Sequence, residues 1–334
     1  MGTLRDRFAS TVELYACSDL DAERANGRAR EFGVTKVCTT DELLADPAVD
    51  IVVVLTMPNV HPLLVAKACA AKKHVFVEKP LAFTRELGKA MVETARNAGL
   101  QLAGAADTFL GPGLQACRKV IDEGRIGTPV FAQGFIGMGG RRERYQKEFG
   151  GALYDMGPYF LGALVSLFGP VNRVGGSARF FIDELPGDPP YRLERPTTSV
   201  GTLDFACGRI GSMVASSDLY GYLPRLEIHG TEGTLVANDP NMYEGPVTIR
   251  RPKGVEEQIP LPFSFAKGRG LGVAEMAAAI REGRQARASG DLMYHVLDII
   301  CAIREASEQG RHIALTSTCE RPAPFDIGQL AAQS

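Results

Sequence analysis

Short apolar runs alternate with amphipathic stretches along the first 125 residues. Val12 to Cys17 (VELYAC) predicts a strand. Asp21 to Phe32 predicts a helix, with Asp19 or Asp21 as its cap and Gly33 as its stop. Lys36 to Cys38 predicts a short strand, and Thr40-Asp-Glu-Leu-Leu a short capped helix. Asp50 to Met57 (DIVVVLTM) is apolar and rich in β-branched residues, the pattern of a strand buried on both faces. A helix follows from about Pro62 to Ala71, then a strand (His74 to Val77), a helix (Thr84 to Asn97), a strand (Leu100 to Ala105) and a helix (Leu114 to Glu123). Parallel strands need crossovers of this kind, so the alternation predicts an open, doubly wound α/β sheet.

The pattern changes after Gly127. Val130–Gly134, Val171–Phe181, Ser199–Phe205, Arg209–Ser216 and Arg225–His229 read as strands joined by turns, with Cys207-Gly208-Arg209 as a hairpin turn. Leu235–Ala237 and Val247–Arg250 extend that sheet. One helix, about Leu153 to Phe168, interrupts the strands, and two long helices within about residues 272–309 end the pattern. The expected organisation is an α/β domain over residues 1–125 and an α+β domain with a mostly antiparallel sheet over residues 126–334.

Composition narrows the classes. The chain has 334 residues, enough for two cores, and its formal net charge of −2 comes without a long basic run, which speaks against nucleic acid as a partner. Its seven cysteines are scattered and never spaced as C-x-x-C, so they read as reduced thiols in a cytoplasm and not as a disulfide frame or zinc site; nothing indicates a metal. No apolar stretch reaches the roughly 18 residues of a membrane span.

Candidate chemistry collects where predicted strands end, because ligands of open α/β sheets bind at the carboxyl edge. Asp19 follows the VELYAC strand directly. An acid there accepts hydrogen bonds from an adenosine ribose and repels a 2′-phosphate, which favours NAD over NADP; the same acid can serve simply as a helix cap. Thr56-Met-Pro58-Asn59 follows the buried strand and offers Thr56, Pro58, Asn59 and His61 to a cofactor, with Asn59 also suited to cap the next helix. Glu78-Lys79-Pro80 follows the next strand at the same edge, where the lysine can hold positive charge beside a developing alkoxide. Asp107 follows the last strand of this half and faces the same edge. The segment GGRRERYQKEFG reads as a solvated basic loop from which Arg141, Arg142 or Arg144 can reach an acidic substrate. His295 reads as a satisfied core histidine, and Ile228-His-Gly-Thr-Glu-Gly233 as a turn between strands.

Together VDIVVVLTMPNVH, KHVFVEKPLAFT, GGALYDMGPYF and LEIHGTEGTLVANDPN resemble the Gfo/Idh/MocA oxidoreductases, and the resemblance runs from about Val12 to Leu315. It implies a Rossmann-type domain and a second domain with a large open sheet that joins subunits into a homo-oligomer, dimer or tetramer. It implies an NAD(P)-dependent hydride transfer to or from a sugar or polyol. Lys79 and Asp155 fall on the family's E-K-P lysine and D-x-G aspartate, and Tyr159 stands where the family usually has a histidine. These three are the expected catalytic residues, with the Tyr159 phenol expected to titrate lower beside the lysine ammonium. The expected cofactor contacts are Asp19, Thr56, Pro58, Asn59, His61, Glu78, Lys79 and Asp107, where the family often has an asparagine.

A G-x-G-x-x-G turn should lie roughly 20 residues before Asp19. MGTLRDRFASTVELYACS holds neither that turn nor a leading strand, and Leu4 to Phe8 read as the last turns of the helix that would follow it. Two expectations follow. The strands that flank the absent first strand should lack a partner between them, and the reading frame upstream should encode the missing segment. The alternative is a non-catalytic sugar- or cofactor-sensing or scaffold protein.

Overall fold

The structure is a computed structural model that describes residues 1–139, 142–186, 189–265 and 269–331, without the side chains of residues 142–145 and 331. The chain begins with helix α1 (Gly2–Arg7), then β1 (Ala16–Cys17), α2 (Ala22–Phe32), β2 (Lys36–Val37), α3 (Thr40–Ala45), β3 (Ile51–Val54), α4 (His61–Ala70), β4 (His74–Val77), α5 (Arg85–Asn97), β5 (Leu102–Gly104) and α6 (Pro112–Asp122). Local chemistry sets these bounds. Asp21 caps α2, and Gly33 ends it in the left-handed conformation. Thr39 and Glu42 form a capping box on α3, and the Thr84 hydroxyl caps α5.

All strands of this half pair in parallel, but in two separate sheets: β1 with β2, and β3 with β4 and β5. β1 and β3 do not pair with each other. The predicted strand Val12–Cys17 is cut to Ala16–Cys17; with one neighbour only, Val12 and Leu14 pack on the core without joining a ladder.

The second half contains β6 (Pro129–Gly137), α7 (Arg142–Phe149), α8 (Gly151–Phe168), β7 (Val171–Arg179), a small hairpin of β8 (Glu184–Leu185) and β9 (Tyr191–Arg192), β10 (Thr198–Phe205), β11 (Ile210–Ser216), β12 (Leu223–Gly230), β13 (Thr234–Val236), β14 (Thr248–Arg250), β15 (Glu256–Gln258), α9 (Leu271–Arg281), α10 (Gly290–Gln309), β16 (Ile313–Ala314) and α11 (Gly328–Ala331). Nine of these strands form one sheet in the order β15-β14-β13-β12-β6-β11-β10-β7-β16, antiparallel except for β6 with β11. Burial alternates along β10, so one face is covered and the other is open. Helices α8 and α10 supply the cover. All 18 residues of α8 are buried, which explains why GALYDMGPYFLGALVSLF carries only one charge. At Gly176 the sheet meets α10 so closely that a Cβ would lie 2.2 Å from the Ile303 carbonyl oxygen.

Two readings of this half are settled by its packing. GTEG is a structural turn: a Cβ on Gly230 would lie 2.1 Å from the Ile126 carbonyl oxygen, and the Thr231 and Glu232 amides bond back to Thr128 and Ile126. The predicted basic loop is instead helix α7; RERYQKEF is built from helix formers and stops at Gly150, whose φ is +79°. The Arg141, Arg142 and Arg144 side chains lie outside the described residues.

Helix α10 also ties the two halves together. The His295 Nε2 accepts the Val171 amide at 2.9 Å, so its Nδ1–H donates to Ser317 Oγ at 2.8 Å. Ser317 in turn donates to Asp298 at 2.6 Å, and Asp298 holds Arg85 at the start of α5 at 2.5 Å. His295 is therefore a satisfied core histidine, and burial lowers its pKa to about 4. Among the described residues no helix is long and apolar enough to cross a membrane.

Candidate active site

β4 delivers Glu78 and Lys79 to its carboxyl end. The Glu78 amide still bonds to the Val54 carbonyl, and the Lys79 amide donates to the Glu78 carboxyl at 3.0 Å. Asp155 and Tyr159 stand four residues apart on α8 and share one face of it. Gly150 and Gly151, both at positive φ, turn the chain sharply into that helix.

The structure brings these elements together. Lys79 Nζ forms an ion pair with Asp155 Oδ1, with the two side chains only 12% and 4% exposed. The same ammonium lies 5.3 Å from the Phe149 ring centroid and 5.5 Å from that of Tyr159. A small void beside it is lined by Lys79 itself with the apolar Pro80, Leu81, Ala106, Pro158, Met293 and Val296.

Burial raises the Tyr159 phenol well above its ordinary pKa, and the charges of Glu78, Asp155 and Asp107 add to the shift. Only Arg269 pulls it down appreciably. This corrects the expectation of a lowered phenol: lysine's charge is already matched by Asp155, and desolvation dominates. Tyr159 is thus a protonated donor. Burial also pushes up the Glu78 carboxyl, against the pull of Lys79.

Three of the expected cofactor contacts sit elsewhere than at the open edge. His61 is fully buried, with Nδ1 3.1 Å from the Pro80 carbonyl oxygen and Nε2 3.2 Å from that of Thr56. It braces two loops from behind, and burial lowers its pKa. Asp107 is also buried: its Oδ2 accepts the Tyr243 hydroxyl and the Gly272 amide, both at 2.7 Å, so it anchors the start of α9. The Pro58 ring is buried. Thr56 and Asn59 are exposed at the edge, but Asn59 caps nothing, because it lies inside a short 3-10 turn leading into α4. Asp19 is exposed at the end of β1, where Arg24 grips its carboxylate with bonds of 2.8 and 2.9 Å. Next to it Leu20 projects fully into solvent, and Leu55 and Met57 are exposed at the end of β3.

Sequence reasoning missed the opposite wall. Arg269 lies 5.3 Å from the Tyr159 ring centroid and 5.7 Å from that of Tyr243. Its Nη2 donates to the Asn241 carbonyl at 3.1 Å and to the Asn241 side-chain oxygen at 2.6 Å. Tyr222 donates to Asp239 at 2.7 Å nearby and feels the charge of Asp155. These residues come from irregular segments without periodicity, and no local signal marks them.

Comparison with known proteins places the chain in a family. Residues 3–105 match the model of an oxidoreductase family with an NAD-binding Rossmann fold, and residues 114–236 match the GFO/IDH/MocA C-terminal domain. A 1,5-anhydro-D-fructose reductase of Ensifer adhaerens is 31% identical over 78% of this chain and 78% of its own. The chain belongs to the Gfo/Idh/MocA oxidoreductase family. Another family member, the scyllo-inositol 2-dehydrogenase (NAD(+)) of Bacillus subtilis strain 168, is 29% identical over 82% of this chain and 80% of its own. Among solved structures, levoglucosan dehydrogenase in complex with NADH and L-sorbose superposes with a TM-score of 0.79 at 22% identity, covering 91% of this chain and 90% of that one. The aldose-aldose oxidoreductase of Caulobacter crescentus gives 0.79 at 23% identity, covering 93% and 95%. These two share the family's fold: a Rossmann-type domain followed by a large mixed sheet.

Proposed function

We propose that this family member is an NAD-dependent dehydrogenase or reductase acting on a sugar or polyol, with Lys79, Asp155 and Tyr159 as its catalytic residues. The buried Lys79–Asp155 pair at the carboxyl end of β4, roofed by Tyr159, carries the reading. The names of the relatives support the substrate class: one is a reductase of an anhydro-sugar and another a dehydrogenase of an inositol. They leave the non-catalytic reading without support.

The residues present suit the two ends of a dinucleotide. Asp19 stands exposed at the ribose end beside the apolar Leu20, and Glu78 and Lys79 stand at the reacting end. NAD, when bound, supplies the hydride acceptor or donor. The chain's own residues hold the substrate and manage its proton. One ammonium hydrogen of Lys79 is held by Asp155, which leaves the others to bond the substrate oxygen. In reduction the Lys79 ammonium gives a proton to the forming alkoxide, and in oxidation the reverse step passes the hydroxyl proton to Lys79 in its neutral form. Tyr159, held protonated by burial, donates a hydrogen bond to the same oxygen. Asp19 opposes a 2′-phosphate, which favours NAD over NADP.

Replacing lysine tests this. Lys79→Met, assayed by NADH absorbance against a panel of polyols and sugars, is expected to lose about 100-fold or more in turnover with NADH binding retained. Undiminished turnover would sink the assignment.

A further inference from the structure

Lys79 and Arg269 flank one tyrosine ring, yet their charges are met differently. Lys79 is neutralised by Asp155. Arg269 makes no ion pair among the described residues; its bonds go to the uncharged Asn241. The nearby acids Asp107 and Glu78 help to hold its charge from a distance, but neither forms an ion pair with it among the described residues. Asp107 spends its Oδ2 on Tyr243 and Gly272. The guanidinium is nevertheless held in place, between two aromatic rings and pinned through one nitrogen. Its Nε and Nη1 make no hydrogen bond among the described residues, although Arg269 is exposed beside the Tyr159 ring that Lys79 also flanks.

A guanidinium fixed in this way, with Nη1 unbonded, is suited to donate a charge-assisted hydrogen bond to a carboxylate. We propose that Arg269 is a specificity-determining residue that binds the carboxylate of a sugar acid, so that the substrate is a polyhydroxy acid whose reacting hydroxyl lies at Lys79. The geometry explains why a second cation stands beside the catalytic pair when the proton chemistry needs only one. Tyr159, Tyr222 and Asn241 are uncharged, and they provide the hydrogen-bonding groups that the hydroxyls between the two ends require. The proposal rests on the catalytic reading above for its substrate orientation, but its test does not depend on turnover.

The test compares D-gluconate with D-glucitol, which differ in having a carboxylate or a hydroxymethyl group at one end. Binding to the full chain is measured by calorimetry at matched ionic strength, with and without NADH. The protein is expected to bind gluconate about tenfold or more tighter than glucitol, as a charge-assisted hydrogen bond would give. Arg269→Gln is expected to abolish that preference while leaving glucitol affinity unchanged, and Arg269→Lys to keep part of it. Equal affinities in the wild-type protein, or no measurable gluconate binding, overturn the proposal. So does an Arg269→Gln variant that keeps the preference, that weakens both ligands equally, or that weakens NADH in place of gluconate. If gluconate preference depends on Arg269 but Lys79→Met retains turnover, the catalytic reading alone fails.

Discussion

The strands before residue 105 and those after residue 128 make opposite uses of a sheet. In the first half they are two to four residues long, split into two sheets, and end in exposed Leu20, Leu55 and Met57. In the second half they reach nine residues, and nine of them join one sheet under a fully buried helix. The candidate catalytic groups sit where the two meet, with Lys79 drawn from the first half and clamped by Asp155 of the second. The contrast teaches where packing resides: Lys79 and Asp155 stand on packed elements, whereas Asp19 and Leu20 stand at an open edge.

The largest effect should come from breaking the clamp. Asp155→Asn leaves a largely buried ammonium without its counter-charge. Loss of one partner of such a pair is expected to cost about 3 kcal/mol in urea unfolding. Turnover should fall about 100-fold or more, because Lys79 is no longer held. If the variant is as stable as the wild-type protein, the two halves are not coupled through this pair and the comparison loses its junction.

The packed half should also show a specific acid sensitivity. His295 is neutral in the folded protein with a pKa near 4, against an ordinary value of 6.5. Below pH 6.5 the unfolded chain takes up a proton that the folded chain refuses, so stability falls with pH from 6.5 towards 4 and this contribution then levels off. At one pKa unit per 1.36 kcal/mol, the loss attributable to His295 is about 3 kcal/mol. His295→Gln should be less stable at neutral pH but flatter across that window in denaturant titrations. An unchanged pH slope would show that protonation of this histidine is not what weakens the α10 core.

How much of this was legible in the sequence follows the same division between local and distant causes. DIVVVLTM and the capping residues Thr39, Thr84 and Asp21 mark their elements, because the signals are local. Lys79 and Asp155 are readable as motifs. Arg269, Tyr243 and Asn241 are not, because only the folded chain brings them to Tyr159. Helix α7 was hidden by its polarity, and His61 and Asp107 by the fact that burial at a strand end depends on what packs over it. The direction of the Tyr159 shift was misjudged for that reason too. Charge proximity can be guessed from a motif, but desolvation cannot.

The smallest effect belongs to the open edge, and there the comparison is easiest to sharpen. Leu20 follows Asp19 and touches almost nothing, so Leu20→Ser should leave the urea midpoint within about 0.5 kcal/mol of the wild-type stability. An apolar side chain exposed beside the acid proposed to meet the ribose is suited to pack on an adenine face. NADH affinity should therefore fall about threefold, by the loss of a few tenths to one kcal/mol of apolar contact. The pairing of these two results carries the argument. A destabilised variant would mean that other residues cover this edge in solution, and that the first half is more completely packed than its split sheets show. Unchanged stability with unchanged NADH affinity would place the adenine away from Leu20. Unchanged stability with weakened NADH would make the exposed edge a binding surface, held open by the same lack of packing that sets this half apart from the nine-stranded sheet.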